Sequence, residues 1–122
     1  KNRKKTILLA SSATTQTVDR HIDLLSVKEL IDGRVSGSQV SVGKPSPDIF
    51  IAALNLVSAD PKMSVVVGDS IWDMEAANNA GIDSIGVLTG SVSREELEKA
   101  GAKEIYKDIA ELYRNLDKSL LR

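Results

Sequence analysis

The chain has 122 residues, enough for one domain with its own core, and its 16 Lys and Arg nearly balance 17 Asp and Glu, leaving a formal net charge of −1. No field of one sign argues for nucleic acid or an anionic membrane as partner, and the lack of cysteine excludes disulfides and thiolate metal sites. No apolar run approaches the ~20 residues that cross a bilayer, so the expectation is a soluble, cytoplasmic protein.

The basic run Lys1-Asn2-Arg3-Lys4-Lys5 reads as a solvated lead-in to the first strand. Residue 1 is not Met, which fits a chain that begins inside a longer protein. Residues 6–9 are apolar and partly β-branched, and the small residues 10–14 after them make a strand that opens into a loop. Val18, Ile22 and Leu25 recur at helical spacing within an amphipathic helix over 15–25; His21 in it has no visible partner and reads as a surface or packing residue. A short helix over 27–31 stops at Asp32-Gly33, and weak alternation over 34–42 suggests a short edge strand. Ser46 as N-cap, Pro47 at the first helical position and Asp48 in the first turn start a helix over 47–56.

The stretch Ser64-Val65-Val66-Val67-Gly68-Asp69-Ser70-Ile71-Trp72-Asp73 organises the rest. Three valines predict a strand buried on both faces, and Gly68 ends it where two carboxylates appear, at the edge of an α/β sheet where ligands bind. Asp69 and Asp73 are spaced to face one hard cation; alternatively, Asp73 caps the following helix, which leaves Asp69 unexplained. Trp72 between them reads as a packing residue at the rim before a substrate platform. A helix over 74–80 ends at Gly81, and a strand over 84–88 runs into Thr89-Gly90-Ser91. Ser93 and Glu96 form a capping box for a helix over 94–100 closed by Gly101; Ile105 and Tyr106 suit a last strand, and Asp108 with Glu111 starts a final helix over 109–120. Strand and helix alternate throughout. The fold class is α/β, a doubly wound, mostly parallel sheet with helices on both faces, in a single segment over residues 1–122.

If their strands are parallel neighbours, Ser11 and Ser12, Lys44, and Asp69 with Ser70 and Asp73 emerge at one edge of the sheet. Hydroxyls and backbone N–H groups hold an anionic oxygen, an ammonium neutralises it, and carboxylates hold the Mg²⁺ that such an anion recruits; phosphate fits this set best. Taken singly, Ser11 and Ser12 could be a helix-entry cap and Lys44 an exposed loop lysine.

In order, Leu-Ala-Ser-Ser, Gly-Lys-Pro-Ser-Pro-Asp-Ile-Phe and Val-Val-Val-Gly-Asp-Ser-x-x-Asp-x-x-Ala-Ala-x-x-Ala-Gly resemble the haloacid dehalogenase-like hydrolase superfamily, most of all its capped phosphatases and sugar-phosphate mutases. The resemblance runs from Thr6 to about Leu116. It implies that Ser11 bonds the transferring phosphoryl group beside the Ser12 N–H, and that Lys44 offsets charge on the phosphoryl oxygens and the nucleophile. It implies further that Asp69 is a Mg²⁺ ligand, and that Asp73 and Ser70 orient water at the metal or join its shell. A small phosphorylated metabolite is the implied partner, with neither nucleic acid nor membrane. The family's first motif, a strand ending Asp-x-Asp that supplies nucleophile and general acid–base, does not occur here; Asp19 and Asp23 have the wrong spacing and fall in a helix.

The resemblance therefore implies the C-terminal part of a core domain, lacking its central first strand and its helical cap, inactive by itself and prone to aggregate through exposed strand edges. The expected parent is a phosphatase acting on a sugar phosphate or phosphoglycolate-like acid through an aspartyl-phosphate. A β-phosphoglucomutase-type mutase and a non-catalytic phosphate-binding relative are the alternatives. A phosphoacceptor receiver module fits less well, because its acidic pair would stand where Ser11-Ser12 stands.

Overall fold

A computed structural model describes residues 5–26, 28–40, 44 and 46–122. The first four residues of the basic run, the start of the expected 27–31 helix and the end of the expected 34–42 strand lie outside the described residues. Strand and helix alternate as expected: β1 (Leu8–Ala10), α1 (Thr15–Leu25), β2 (Gly33–Val35), α2 (Asp48–Val57), β3 (Val65–Gly68), α3 (Ile71–Asn79), β4 (Asp83–Val87), α4 (Arg94–Ala100), β5 (Glu104–Tyr106) and α5 (Ile109–Arg114).

All pairings are parallel, but the strands form two sheets, β1–β2 and β3–β4–β5. Between them lies a cleft of about 760 Å³, lined on one side by Leu8, Leu9 and Ala10 and on the other by Val65, Val66 and Val67. This is where the sequence expects a missing central strand. Val67 is exposed and all three valines border the cleft, so the strand expected to be buried on both faces has an uncovered edge.

The sheets are joined through helices. α2 packs over β1 and β2, α3 over β3 and β4, and the two helices touch. Ile49, Phe50 and Ala53 of α2 meet Ala76 and Ala77 of α3 together with Val35 and Ile82 in one buried cluster. The two alanines are small enough to let the helices approach closely. Each large side chain buried in this cluster contributes roughly 1.5–3 kcal/mol.

Local chemistry explains most boundaries. α4 has the expected capping box, with Ser93 Oγ accepting from the Glu96 N–H, and Asp108 Oδ1 accepts from the Glu111 N–H to start α5. Gly81 follows α3 with φ +75°, the left-handed position that favours glycine. α2 begins one residue later than expected: Pro47 is the N-cap, while Ser46 Oγ still accepts from the Asp48 N–H at 3.3 Å.

Three expectations fail. The 27–31 helix is a 3₁₀ turn over Lys28–Leu30. The edge strand ends at Val35, because Ser36 starts a 3₁₀ turn over Gly37–Gln39, held by Gln39 Oε1 accepting from the Ser36 N–H. The final helix stops at Arg114 rather than 120, where Asn115 Nδ2 donates to the Glu111 carbonyl and a 3₁₀ turn follows over Leu116–Lys118.

The C-terminal tail is tied to β5 by Glu104, whose Oε1 accepts from the Tyr106 hydroxyl (3.1 Å) and the Leu120 N–H (3.0 Å). Desolvation first, then the hydrogen bond to the Glu104 carboxylate, raises the Tyr106 pKa above its ordinary value near 10. A raised phenol pKa stabilises the fold fully below the unfolded value, and that contribution is lost as pH rises through the folded one.

Two outcomes are expected in the intact protein. Ile49→Ala lowers the unfolding free energy by about 2–5 kcal/mol, read as a lower urea midpoint at unchanged slope. Glu104→Gln moves the Tyr106 titration, followed by ultraviolet absorbance, down toward the ordinary value, without reaching it because desolvation persists.

Candidate active site

The residues that follow β1 and β3 both border the cleft. Ser11 and Ser12 follow β1, Asp69 follows β3, and these three line the cleft with Lys44, Asp73 and Thr89. The cleft thus gathers, from three separate stretches, the set expected from the sequence except Ser70, which does not line it; Thr89 is an addition.

Lys44 and Asp73 form the central contact. Lys44 Nζ donates to Asp73 Oδ1 at 2.5 Å, with the two side chains only 13% and 15% exposed. The ammonium also stands 5.6 Å from the centroid of the buried Phe50 ring, at cation–π distance. Lys44 is therefore no free loop lysine: it is fixed between a carboxylate from α3 and an aromatic face from α2.

Asp73 does not cap α3. That task falls to Ser70, whose Oγ accepts from the Asp73 N–H at 3.1 Å, leaving the Asp73 carboxylate at the third helical position free to turn toward Lys44. A Cβ on Gly68 would stand 2.6 Å from Asp73 Cβ and 2.7 Å from Oδ2, so only glycine at the strand tip leaves room for this carboxylate. Asp69 is exposed, and its carboxylate has no hydrogen bond or ion pair among the described residues. Ser11 Oγ accepts from the Ala13 N–H at 3.2 Å, and the Ser11 N–H donates to the Val35 carbonyl at 3.0 Å, which fixes the loop after β1.

Asp69 and Asp73 offer hard oxygen donors of the kind Mg²⁺ takes. Among the described residues no third His, Cys, Asp or Glu joins them in a metal-holding group. Mg²⁺ commonly uses one or two carboxylates and completes its shell with water and phosphate oxygens, so the pair fits such an ion with donors from elsewhere filling the shell.

Trp72 is 56% exposed, so it is not the packed rim residue the sequence suggested. His21 is exposed on α1, as expected. Phe50 is the site neighbour that sequence reasoning missed. Its helical periodicity marks it only as core, and nothing local signals that Lys44 lies over its ring.

The model of the HAD-hydrolase-like family matches residues 41–112. The chain belongs to the HAD-like hydrolases. A phosphorylated carbohydrates phosphatase of Thermotoga maritima is 32% identical over 108 residues, covering 88% of this chain and 50% of that protein. Among solved structures, a hydrolase from Pseudomonas syringae is 36% identical with a TM-score of 0.80, covering 88% of this chain and 50% of the other. A β-phosphoglucomutase candidate from Thermotoga maritima is 30% identical with a TM-score of 0.86, covering 96% and 54%. This HAD-like chain spans about half the length of the relatives it matches. Its parallel strands and flanking helices are the α/β fold of those structures.

Proposed function

We propose that this chain is the C-terminal part of the core domain of a Mg²⁺-dependent phosphatase that hydrolyses a small phosphate monoester through an aspartyl-phosphate. The observation that carries the reading is the Lys44–Asp73 pair at the mouth of the cleft, beside Asp69 and the Ser11-Ser12 loop. The cleft bordered by β1 and β3 supports the reading, since a further strand there, ending in a carboxylate, would supply the nucleophile that this chain lacks.

In this reading the Ser11 hydroxyl and the Ser12 N–H hold non-bridging phosphoryl oxygens. Lys44 offsets their charge and that of the attacking carboxylate. Asp69 and Asp73, with Ser70 nearby in sequence, would hold the metal, and Asp73 is also paired with Lys44. Bound Mg²⁺ supplies neutralisation of the charge on the phosphoryl group. The carboxylate oxygen forms its bond to phosphorus as the ester oxygen leaves, and water later cleaves the acyl phosphate to give inorganic phosphate.

The name of the Thermotoga maritima phosphatase supports a phosphorylated carbohydrate as substrate. The likeness to the β-phosphoglucomutase candidate supports, as second reading, return of the phosphoryl group to a sugar instead of to water. Release of inorganic phosphate separates the two.

The test is turnover of a panel of sugar phosphates by the intact protein with and without Mg²⁺. Lys44→Ala lowers kcat by roughly 10²–10³-fold or more while the urea midpoint stays close to wild type. Asp69→Asn raises the Mg²⁺ concentration for half-maximal activity by roughly ten-fold or more. An active Lys44→Ala enzyme removes the lysine from the mechanism; an unchanged Mg²⁺ requirement in Asp69→Asn removes that carboxylate from the metal site.

A further inference from the structure

Two glycines outside the strand-tip motifs touch the site from behind. Gly37 sits in the turn after β2, and a Cβ built on it would stand 2.1 Å from the Ser12 carbonyl oxygen, 2.8 Å from the Ser12 carbonyl carbon and 3.3 Å from the Ala13 oxygen. Gly90 sits in the loop after β4, and its Cβ would stand 2.9 Å from the Asp69 carbonyl oxygen and 3.3 Å from both Cγ and Oδ2 of its carboxylate. Neither has the positive φ seen at Gly81 and Gly101. Backbone conformation would admit alanine at both positions; what excludes it is contact, and the closest contact in each case is with main chain, which cannot swing away as a flexible side chain would.

The surroundings of Gly37 show that the contact is part of a seat. The Gly37 N–H donates to the Ala13 carbonyl at 2.8 Å, and the Ser11 N–H reaches Val35. The buried Ser36 hydroxyl lies 2.6 Å from Thr15 Oγ1, and Ser38 Oγ accepts from the Thr15 N–H at 3.3 Å. The loop that presents Ser11 and Ser12 is held at its start by Val35 at the end of β2 and at its far end by the 36–38 turn, with Gly37 against its middle. Gly90 does the same for Asp69, whose carboxylate has no other described partner to hold it.

From this geometry we infer that Gly37 and Gly90 are positioning residues, each registering one half of the site. Gly37 sets the anion-holding loop, and Gly90 sets the carboxylate that faces the cation. The inference rests on the phosphotransfer reading above. Alanine at Gly37 forces a displacement on the order of 1 Å in the Ser11–Ala13 loop, enough to misplace hydrogen-bond donors to an anion. Alanine at Gly90 pushes the Asp69 main chain and carboxylate instead.

The two halves are separable by binding, without turnover. In the intact protein, inorganic phosphate binding is measured by equilibrium dialysis, and Mn²⁺ binding, as the spectroscopic stand-in for Mg²⁺, by electron paramagnetic resonance. Gly37→Ala weakens phosphate by roughly ten-fold and leaves Mn²⁺ affinity unchanged, whereas Gly90→Ala weakens Mn²⁺ by roughly ten-fold and leaves phosphate unchanged. Ser36→Ala, which removes an atom from the same seat and adds none, weakens phosphate in the same direction by less and serves if Gly37→Ala does not fold. A wild type that binds both probes, with variants that bind both equally well or lose both in step with their melting temperatures, overturns the positioning role alone. A wild type that binds neither overturns the phosphotransfer reading and this inference with it.

Discussion

The apolar seam between α2 and α3 is the contact on which the architecture depends. The two sheets share no strand pairing, so Ile49, Phe50 and Ala53 against Ala76 and Ala77 are what hold β1–β2 beside β3–β4–β5. That seam sets the width of the cleft, and the same helices carry the chemistry at its mouth. Phe50 faces the seam and Lys44 together, and Asp73 stands in the first turn of α3. The ion pair spans the gap as a second tie. Its partly buried charges cost desolvation to bring together, so its net contribution to stability is small beside that of the seam. It fixes an ammonium and a carboxylate beside each other at the border of the cleft.

The order of elements and the strand-tip residues were legible because their causes are local. Gly68 breaks a valine run, Ser93 and Glu96 form a capping box, and Gly81 takes the left-handed position after a helix. What was not legible depends on contacts between distant segments. Lys44 reaches Asp73 across 29 residues, a contact that spacing does not reveal, and Ser70 rather than Asp73 takes the cap. β2 stops early because Ser36 and Gln39 close a 3₁₀ turn that packs against the Ser12 loop, a contact invisible in the 34–42 alternation itself. Trp72 and Val67 misled for a common reason: an aromatic side chain and a β-branched run signal burial, and here the surfaces that would bury them are not among the described residues.

The family relation and the geometry meet at one point. The HAD-like match covers residues 41–112, which includes Lys44, Asp69 and Asp73 but not Ser11 and Ser12. The Ser11-Ser12 loop joins the others through topology, because β1 and β3 present their C-terminal ends to the same cleft. The chain spans about half of its relatives' length, and a cleft separates its two sheets. Unpaired strand edges favour pairing with another extended segment, which makes such edges a liability when left uncovered.

The most direct test is amide hydrogen exchange along residues 8–10 and 65–68, compared between the intact protein and this 122-residue chain alone. If a strand fills the cleft, these amides exchange more than about ten-fold slower in the intact protein, while β4 and β5 change far less. Equal exchange in the two samples would contradict the account, because the slot would then stay open and no strand would bring a carboxylate to Lys44.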